Sequence, residues 1–355
     1  MSSPLLRPIL CIFLLLITAA PAFAGGHANI MVYHRFGDSR YPSTNIETTV
    51  FRDQLAYLKE NNYTVITFGD LVRRLQNEAD IPERCAVLTI DDAFTSFLEV
   101  GLPLLREYDY PATLFVSTGS VGEGGYLSWK QLRIVQAEGI EIGNHSHTHD
   151  YLLERKSDET SLAWKKRVRD DIIQAQKLFA KRLGHKPDVF AYPYGEYSPQ
   201  LQEIVKDIGF DAAAAQQSGV AYAGSDMLAL PRFPMGGPYG TLEGFQEKIA
   251  MHPLPVKAVE PGSPVVRDEN PPRLRVKIET GIVDLDRLNC FVQGQDRCQI
   301  IEDPSSRGTY IVEAKGPLVG RRSKYTLTAP GRDGEGWYWY SHLWVQLNNA
   351  EERYP

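Results

Sequence analysis

Three histidines fall within five residues of the chain, at positions 145, 147 and 149. Two imidazoles four residues apart can reach one metal ion from a helical turn or a compact loop, so His145 and His149 are a candidate ligand pair. A carboxylate would complete a three-ligand site with one open position, the pattern of a catalytic metal site. Water in that position would have a lowered pKa. The alternative is a solvated, histidine-rich loop.

Two adjacent carboxylates, Asp91 and Asp92, directly follow the apolar run at residues 87–90. A second pair, Asp170 and Asp171, lies in a charged helical segment, where a solvated face is the simplest interpretation. An Asp-Asp pair therefore indicates a functional site only where it lies at the end of a strand. There, adjacent side chains point in different directions, so one carboxylate can bind metal while the other acts as a general base towards water.

Strands and helices must bring these residues together. Between residues 28 and 250, short apolar runs typical of parallel strands covered on both faces alternate with amphipathic segments. This alternation predicts an α/β barrel or a doubly wound sheet. The Asp pair, the histidines and residues 190–195 all follow such runs, and α/β barrels build their sites at the carboxyl ends of strands. The predicted strands are 29–33, 64–67, 86–90, 112–117, 140–143, 189–192, 211–215 and 229–232.

Residues 89–92, 145–149 and 193–195, in this order, resemble the three motifs of the polysaccharide deacetylase family, the NodB-like domain of carbohydrate esterase family four. The resemblance covers about residues 29–250 and implies a distorted (β/α) barrel. It also implies removal of acetyl groups from N-acetylhexosamine units of a polysaccharide.

The same resemblance assigns roles to individual residues. Asp91 would be the general base, and the backbone N–H of Tyr194 would form an oxyanion hole with the metal. The metal ligands would be Asp92, His145 and His149. His147 falls on a variable position of the motif and is not expected to bind metal. Zinc is the expected ion, although nickel and cobalt suit the same ligands.

Two positions depart from the family pattern. The family places an arginine that orients the base where this chain has Ala191, and we hypothesise that Arg232 replaces it. The family also has a late histidine that protonates the leaving amine, and residues 228–235 contain no histidine. His34, at the end of the first predicted strand, is a candidate substitute, with a structural strand-end histidine as the equal alternative.

Segments 31–35 and 127–129 resemble the branch of the family that acts on exopolysaccharides of the poly-N-acetylglucosamine type. Trp129, in the second of these segments, and Tyr192 and Pro193, in the third motif, are expected to contact the substrate. Histidines outside these motifs have no such context and are expected at the surface; they are His27, His185, His252 and His342.

The ends of the chain differ in composition from its centre. Residues 1–24 have a positive start, an apolar run and small residues before position 25, which predicts a cleaved signal peptide and a periplasmic or secreted protein. The alternative is an uncleaved anchor. No later stretch is apolar enough to span a membrane, so no stable membrane span is expected after cleavage. Six prolines predict an extended linker at residues 253–272, and β-forming segments predict a small all-β sandwich at 273–350.

Cysteines and aromatic residues add two expectations. In an oxidising compartment, Cys290 and Cys298 are expected to form a disulfide, whereas Cys85 opens an apolar run and is expected to be a buried free thiol. The aromatic run at 337–340, with Trp344, fits either a sandwich core or a surface that stacks on sugar rings.

The formal net charge of −6 gives no basic surface, so nucleic acid is not an expected partner. The expected partner is an acetylated polysaccharide. Three alternatives remain open: an O-acetyl esterase, a C–N hydrolase acting on a small cyclic amide, and a catalytically inactive glycan-binding protein.

Overall fold

The computed structural model describes residues 26–267, 269–295 and 297–347. The predicted signal peptide, 1–24, lies outside these residues. In the described part of the chain, no helix is both long and apolar enough to cross a membrane.

The first part of the chain is a curled sheet with helices packed around it. Its strands are β1 (His27–Tyr33), β2 (Arg35–Phe36), β3 (Asn45–Ile46), β4 (Thr64–Ile66), β5 (Cys85–Asp91), β6 (Thr113–Val116), β7 (Glu141–Asn144), β8 (Val189–Ala191), β9 (Ala212–Ala214), β10 (Ala221–Tyr222) and β11 (Phe233–Pro234). Its helices are α1 (Thr48–Glu60), α2 (Phe68–Gln76), α3 (Leu102–Glu107), α4 (Trp129–Ala137), α5 (Ser161–Leu183), α6 (Pro199–Ile208) and α7 (Leu242–Ile249).

Among the described residues, nine of these strands form one sheet in the order β10–β1–β5–β6–β7–β8–β9, with β4 beside β5 and β11 beside β1. Strands β5 to β9 run parallel, so their carboxyl ends meet at one edge of the sheet. This arrangement confirms the predicted distorted (β/α) barrel.

The segment around β11 closes the barrel. Leu230 exchanges backbone hydrogen bonds with the β9 region, and Met235 donates to Val32 of β1. The strand predicted at 229–232 is therefore displaced, because ladder pairing with β1 begins only at Phe233. Pro231 has no N–H to donate, which accounts for the change of partner across it.

The remaining strands form the predicted sandwich. They are β12 (His252–Pro253), β13 (Val256–Glu260), β14 (Arg273–Ile278), β15 (Asn289–Val292), β16 (Gln299–Glu302), β17 (Thr309–Glu313), β18 (Arg322–Pro330) and β19 (Trp337–Val345). In the described residues they pair as two four-stranded sheets, β12–β19–β18–β15 and β13–β14–β17–β16.

The predicted linker at 253–272 is wrong over its first part. Strand β13 lies inside it and pairs antiparallel with β14, while β12 pairs with β19. The β13 residues include none of the six prolines, so their N–H groups remain available for a ladder.

The expectations for cysteine are confirmed. Cys290 and Cys298 are bonded, with their Cα atoms 5.3 Å apart. Cys85 is free and buried, and burial raises the pKa of its thiol to about 12.

The aromatic residues divide between several environments. Trp344 is buried in the sandwich core, whereas Trp337 is exposed. The Trp339 ring packs 5.5 Å from Phe233 of the barrel, and its N–H donates to the Ser218 carbonyl. The aromatic run therefore supplies both sandwich core and the contact between sandwich and barrel.

The expectation that the remaining histidines lie at the surface is wrong for His342. This residue is 4% exposed, and burial lowers the pKa of its imidazole to about 3. It lies on β19, whose residues 341–345 are all buried.

Candidate metal centre and catalytic pocket

Carboxyl ends of neighbouring strands position the candidate ligands. Asp92 follows β5, and His145 follows β7. The next turn carries His149, whose N–H donates to the Ser146 hydroxyl at 3.0 Å. Asp92, Ser146 and His149 all have positive φ angles, between 58° and 75°. Such backbone conformations are costly for residues other than glycine and cluster at functional sites.

One ligand atom from each of Asp92, His145 and His149 lies within 4.8 Å of the other two. The Asp92 Oδ1 atom is 3.6 Å from Nε2 of His145 and 3.2 Å from Nε2 of His149. Ligands of a tetrahedral zinc ion, each about 2.1 Å from it, lie roughly 3.4 Å apart. The three side chains could therefore hold a metal ion, and the donor set fits one.

The orientation of His145 is fixed by the neighbouring strand. Its Nδ1 atom is 2.8 Å from the Ala191 carbonyl oxygen, which can only accept, so Nδ1 carries the proton. The lone pair then lies on Nε2, which faces Asp92. A backbone carbonyl that fixes the tautomer in this way is typical of metal-binding histidines.

Electrostatics around the triad also favour a cation. Burial lowers the pKa of His145 to about 4, so this imidazole is neutral at neutral pH. Burial alone would raise the pKa of Asp92, but the hydrogen bond from His149 and the nearby imidazoles hold it well below its usual range. Burial alone would lower the pKa of His149, but the Asp92 carboxylate raises it.

His147 points away from the triad. Its Nδ1 atom lies 2.9 Å from the Thr118 hydroxyl, and its Nε2 atom lies 2.8 Å from the Gln174 amide. Its position agrees with the expectation that it does not bind metal.

Asp91 ends β5 and forms a buried, two-pronged ion pair with Arg232. The distances are 2.7 Å from Nη1 to Oδ1 and 2.8 Å from Nη2 to Oδ2. Both side chains are at most 1% exposed. Burial alone would raise the pKa of Asp91, but the Arg232 guanidinium holds it below its usual range.

Two further groups hold the Arg232 side chain. Its Nε donates to the Ala215 carbonyl at 2.9 Å, and its Nη1 donates to the Thr89 hydroxyl at 3.2 Å. The guanidinium thus has partners on both β5 and the end of β9, and its orientation towards Asp91 is fixed.

We expect Arg232→Ala to destabilise the protein by about 3–5 kcal/mol, because a buried carboxylate would lose its partner. The variant should also lose activity, since the pKa of Asp91 would rise and its orientation would relax. Urea unfolding and acetate release would measure the two effects. Unchanged acetate release by Arg232→Ala would eliminate an orienting role for this arginine.

Tyr194 follows β8 in a short turn, Pro193–Gly195, and has a φ angle of 60°. No hydrogen bond from its N–H to another described residue is found. Gly195 is required next to it, because a Cβ atom there would lie 2.3 Å from Cβ of Gln216. The turn thus leaves a backbone donor free beside the metal ligands.

A cavity of about 700 Å³ opens over these groups. Asp91, Asp92 and Tyr194 line it, together with His34 from the end of β1. His34 is close enough for its charge to contribute to lowering the pKa values of both Asp91 and Asp92.

Two of the three residues expected to contact the substrate do not line the cavity. Tyr192 is fully buried in the core, and its hydroxyl donates to the Leu228 carbonyl. Trp129 begins α4 and packs on Phe179, 6.1 Å between ring centres. Both side chains belong to the packing of the barrel and not to the cavity wall. Pro193 is buried in the turn before Tyr194.

Asp171 has a role that the sequence interpretation missed. Its two carboxylate oxygens accept the N–H groups of His147 and Thr148, at 3.0 and 3.1 Å. The signal was present, because Asp171 lies three residues after Val168, on the buried side of α5. Asp170 is exposed and pairs with Lys166, as a solvated face predicts.

We expect Asp171→Ala to weaken metal binding about tenfold, the lower end of the range for residues that support metal ligands. The matched control is Asp170→Ala, one residue away on the same helix, which should bind as the wild type does. Zinc titration against a competing chelator would measure both. Equal affinities of the two variants would contradict a supporting role.

The sequence comparison matches part of the chain to a known family, and the structural comparison finds similar folds. Residues 78–213 match the family model described as Polysaccharide deacetylase, and this range contains Asp91, Asp92, His145, His149 and Tyr194. This part of the chain is similar to the polysaccharide deacetylase family. His34 and Arg232 lie outside the matched range.

Three relatives of known kind illustrate the similarity. A poly-beta-1,6-N-acetyl-D-glucosamine N-deacetylase of Escherichia coli K12 is 24% identical over 231 residues, which cover 55% of this chain and 34% of the relative. The structure of IcaB from Ammonifex degensii is 25% identical, with a TM-score of 0.55 over 62% of this chain and 96% of that one. The Streptococcus pyogenes deacetylase PplD, in complex with acetate, is 21% identical, with a TM-score of 0.57 over 63% and 99%.

The chain spans about a third of the length of the E. coli relative that it matches. The family match covers the part of the barrel that carries the candidate metal ligands, and it does not extend to the sandwich.

Proposed function

We propose that the protein is a metal-dependent N-deacetylase acting on N-acetylhexosamine units of an extracellular or cell-wall polysaccharide. One observation supports this most strongly. Asp91, which pairs with Arg232, lines an open cavity together with Asp92, His145 and His149, which could hold a metal ion. A fixed carboxylate next to such a centre suits hydrolysis of an amide by water.

In this proposal Asp92, His145 and His149 would hold the metal ion, for which their donor set suits zinc, and the bound ion would supply Lewis acidity towards the acetyl carbonyl and water. Asp91 takes the proton of the attacking water. The Tyr194 N–H donates a hydrogen bond to the developing oxyanion. His34 donates a proton to the nitrogen as the C–N bond breaks, and the products are acetate and a free amine on the glycan.

The names of relatives and the predicted signal peptide support a proposal for substrate and location. The E. coli relative is named for poly-beta-1,6-N-acetyl-D-glucosamine, which makes that polymer the first substrate to test. The predicted signal peptide at 1–24 supports a periplasmic or secreted enzyme.

The test is acetate release from N-acetylglucosamine oligomers by the full chain, with zinc and with a chelator, together with an assay for new amines. We expect acetate and amines in equal amounts, and loss of both with the chelator. Acetate from an O-acetylated glycan without new amines would instead identify an O-acetyl esterase. Binding to glycan without acetate under any metal condition would identify a glycan-binding protein.

A further inference from the structure

The β-sandwich forms part of the wall of the catalytic cavity. Arg321, Arg322 and Lys324, at the start of β18, line the same cavity as Asp91 and Asp92. The Lys324 ammonium group also contacts the Gln216 carbonyl and the Ser218 hydroxyl of the barrel. The sandwich is therefore joined to the barrel at the active site itself.

Arg321 makes the strongest of these contacts. Its Nε and Nη2 atoms donate to the two carboxylate oxygens of Glu196, each at 2.7 Å. Its Nη1 atom donates to Glu154. Glu196 is 2% exposed and lies two residues after Tyr194. Two-pronged guanidinium–carboxylate pairs fix direction as well as distance, so Arg321 ties the Tyr194 turn to the sandwich.

Further contacts extend this link to the metal centre. The Arg321 guanidinium lies 4.0 Å from the ring centre of Tyr151, and that ring stacks 4.0 Å from Tyr194. The Tyr194 ring in turn contacts His149 edge-on, at 4.7 Å. Arg322 donates to the Tyr194 carbonyl at 3.2 Å.

The Tyr194 turn needs such support because of its backbone conformation. A tyrosine at a φ of 60° is strained, and strained residues persist only where their surroundings hold them. Gln216 approaches Gly195 so closely that a Cβ atom would not fit between them. On the other side, the Tyr151 ring stacks on Tyr194, and the sandwich contributes Arg321 and Arg322.

We propose that Arg321 is a positioning residue of the reaction, and that through it the sandwich completes the active site. Arg321 holds the Tyr194 turn so that its free N–H faces the place where the oxyanion develops. The expected effect on kcat rests on the proposed deacetylase function. The expected effect on hydrogen exchange in the Tyr194 turn does not depend on that function.

The test compares Arg321→Ala and Arg321→Lys with Arg273→Ala in the full chain. Arg273 is the matched control, because it forms an exposed ion pair with Glu313 in the same sandwich. We expect kcat of Arg321→Ala to fall at least tenfold with KM nearly unchanged, less than the 10²–10³ for loss of an oxyanion donor. Added guanidinium should restore part of the rate, and Arg273→Ala should match the wild type.

Hydrogen exchange provides a readout that does not depend on activity. Peptides covering residues 192–198 should exchange faster in Arg321→Ala than in the wild type, while peptides from β5 should not change. Arg321→Lys keeps the charge but not the two-pronged contact, so its exchange rate over residues 192–198 should lie between those of the wild type and Arg321→Ala. This variant replaces Arg321→Ala in the test if the alanine variant fails to fold.

The outcomes separate this inference from the proposed function. A wild type that releases no acetate would contradict the proposed function and leave the exchange test standing. An active wild type with an equally active Arg321→Ala, or unchanged exchange over 192–198, would overturn the positioning role.

Discussion

Asp91→Asn should lower kcat by about 10²- to 10⁴-fold, which is the contribution of a positioned general base. The variant should still bind one zinc ion per protein molecule. The physical reason is that an amide cannot accept the proton of the attacking water. Asp91 is poised for this role because Arg232 keeps its carboxylate ionised and fixed in direction. Acetate release and metal analysis of the same sample would measure the two quantities.

The matched control for this variant is Asp170→Asn, which changes an exposed aspartate on α5 in the same way. It should keep wild-type activity. If Asp91→Asn retained more than a tenth of the wild-type kcat with zinc bound, Asp91 would not be the base.

His145→Asn should remove both the metal and the activity. Asparagine can still donate a hydrogen bond to the Ala191 carbonyl, as Nδ1 of the imidazole does, but it lacks the Nε2 lone pair that faces Asp92. The change therefore removes a ligand with little disturbance of the fold. Zinc content after gel filtration and acetate release would both be measured.

His147→Asn is the matched control, since the same substitution two residues later removes an imidazole bonded to Thr118 and Gln174. It should bind zinc normally. Full zinc content in His145→Asn, or its loss in His147→Asn, would show that the ligands are assigned incorrectly.

Local sequence patterns predicted the barrel because its strands are short, mostly apolar runs, as in residues 86–90, that alternate with amphipathic segments. The same patterns also located the candidate metal ligands, because these residues directly follow predicted strands. Residues that follow consecutive parallel strands must meet at one edge of the sheet.

Contacts between distant parts of the chain were harder to predict. Arg232 could be suggested only as a hypothesis, because 141 residues separate it from Asp91. Tyr192 and Trp129 do not line the cavity, and the sequence motif could not show this because it does not indicate which face of an element is buried. No sequence pattern indicated a role for Arg321, because its partner Glu196 lies 125 residues away in another domain.

Because residues near β11 close the barrel, the active site is complete only late in folding. Asp91 belongs to an early strand, but Arg232 comes from the last segment of the barrel, and Arg321 from the sandwich that follows. Contacts between residues so distant in sequence form slowly, because a long loop must close before they can stabilise anything. During synthesis or refolding, helices and early strands would form well before the catalytic pair exists. The newly synthesised protein would therefore have no catalytic activity until the sandwich has docked on the barrel.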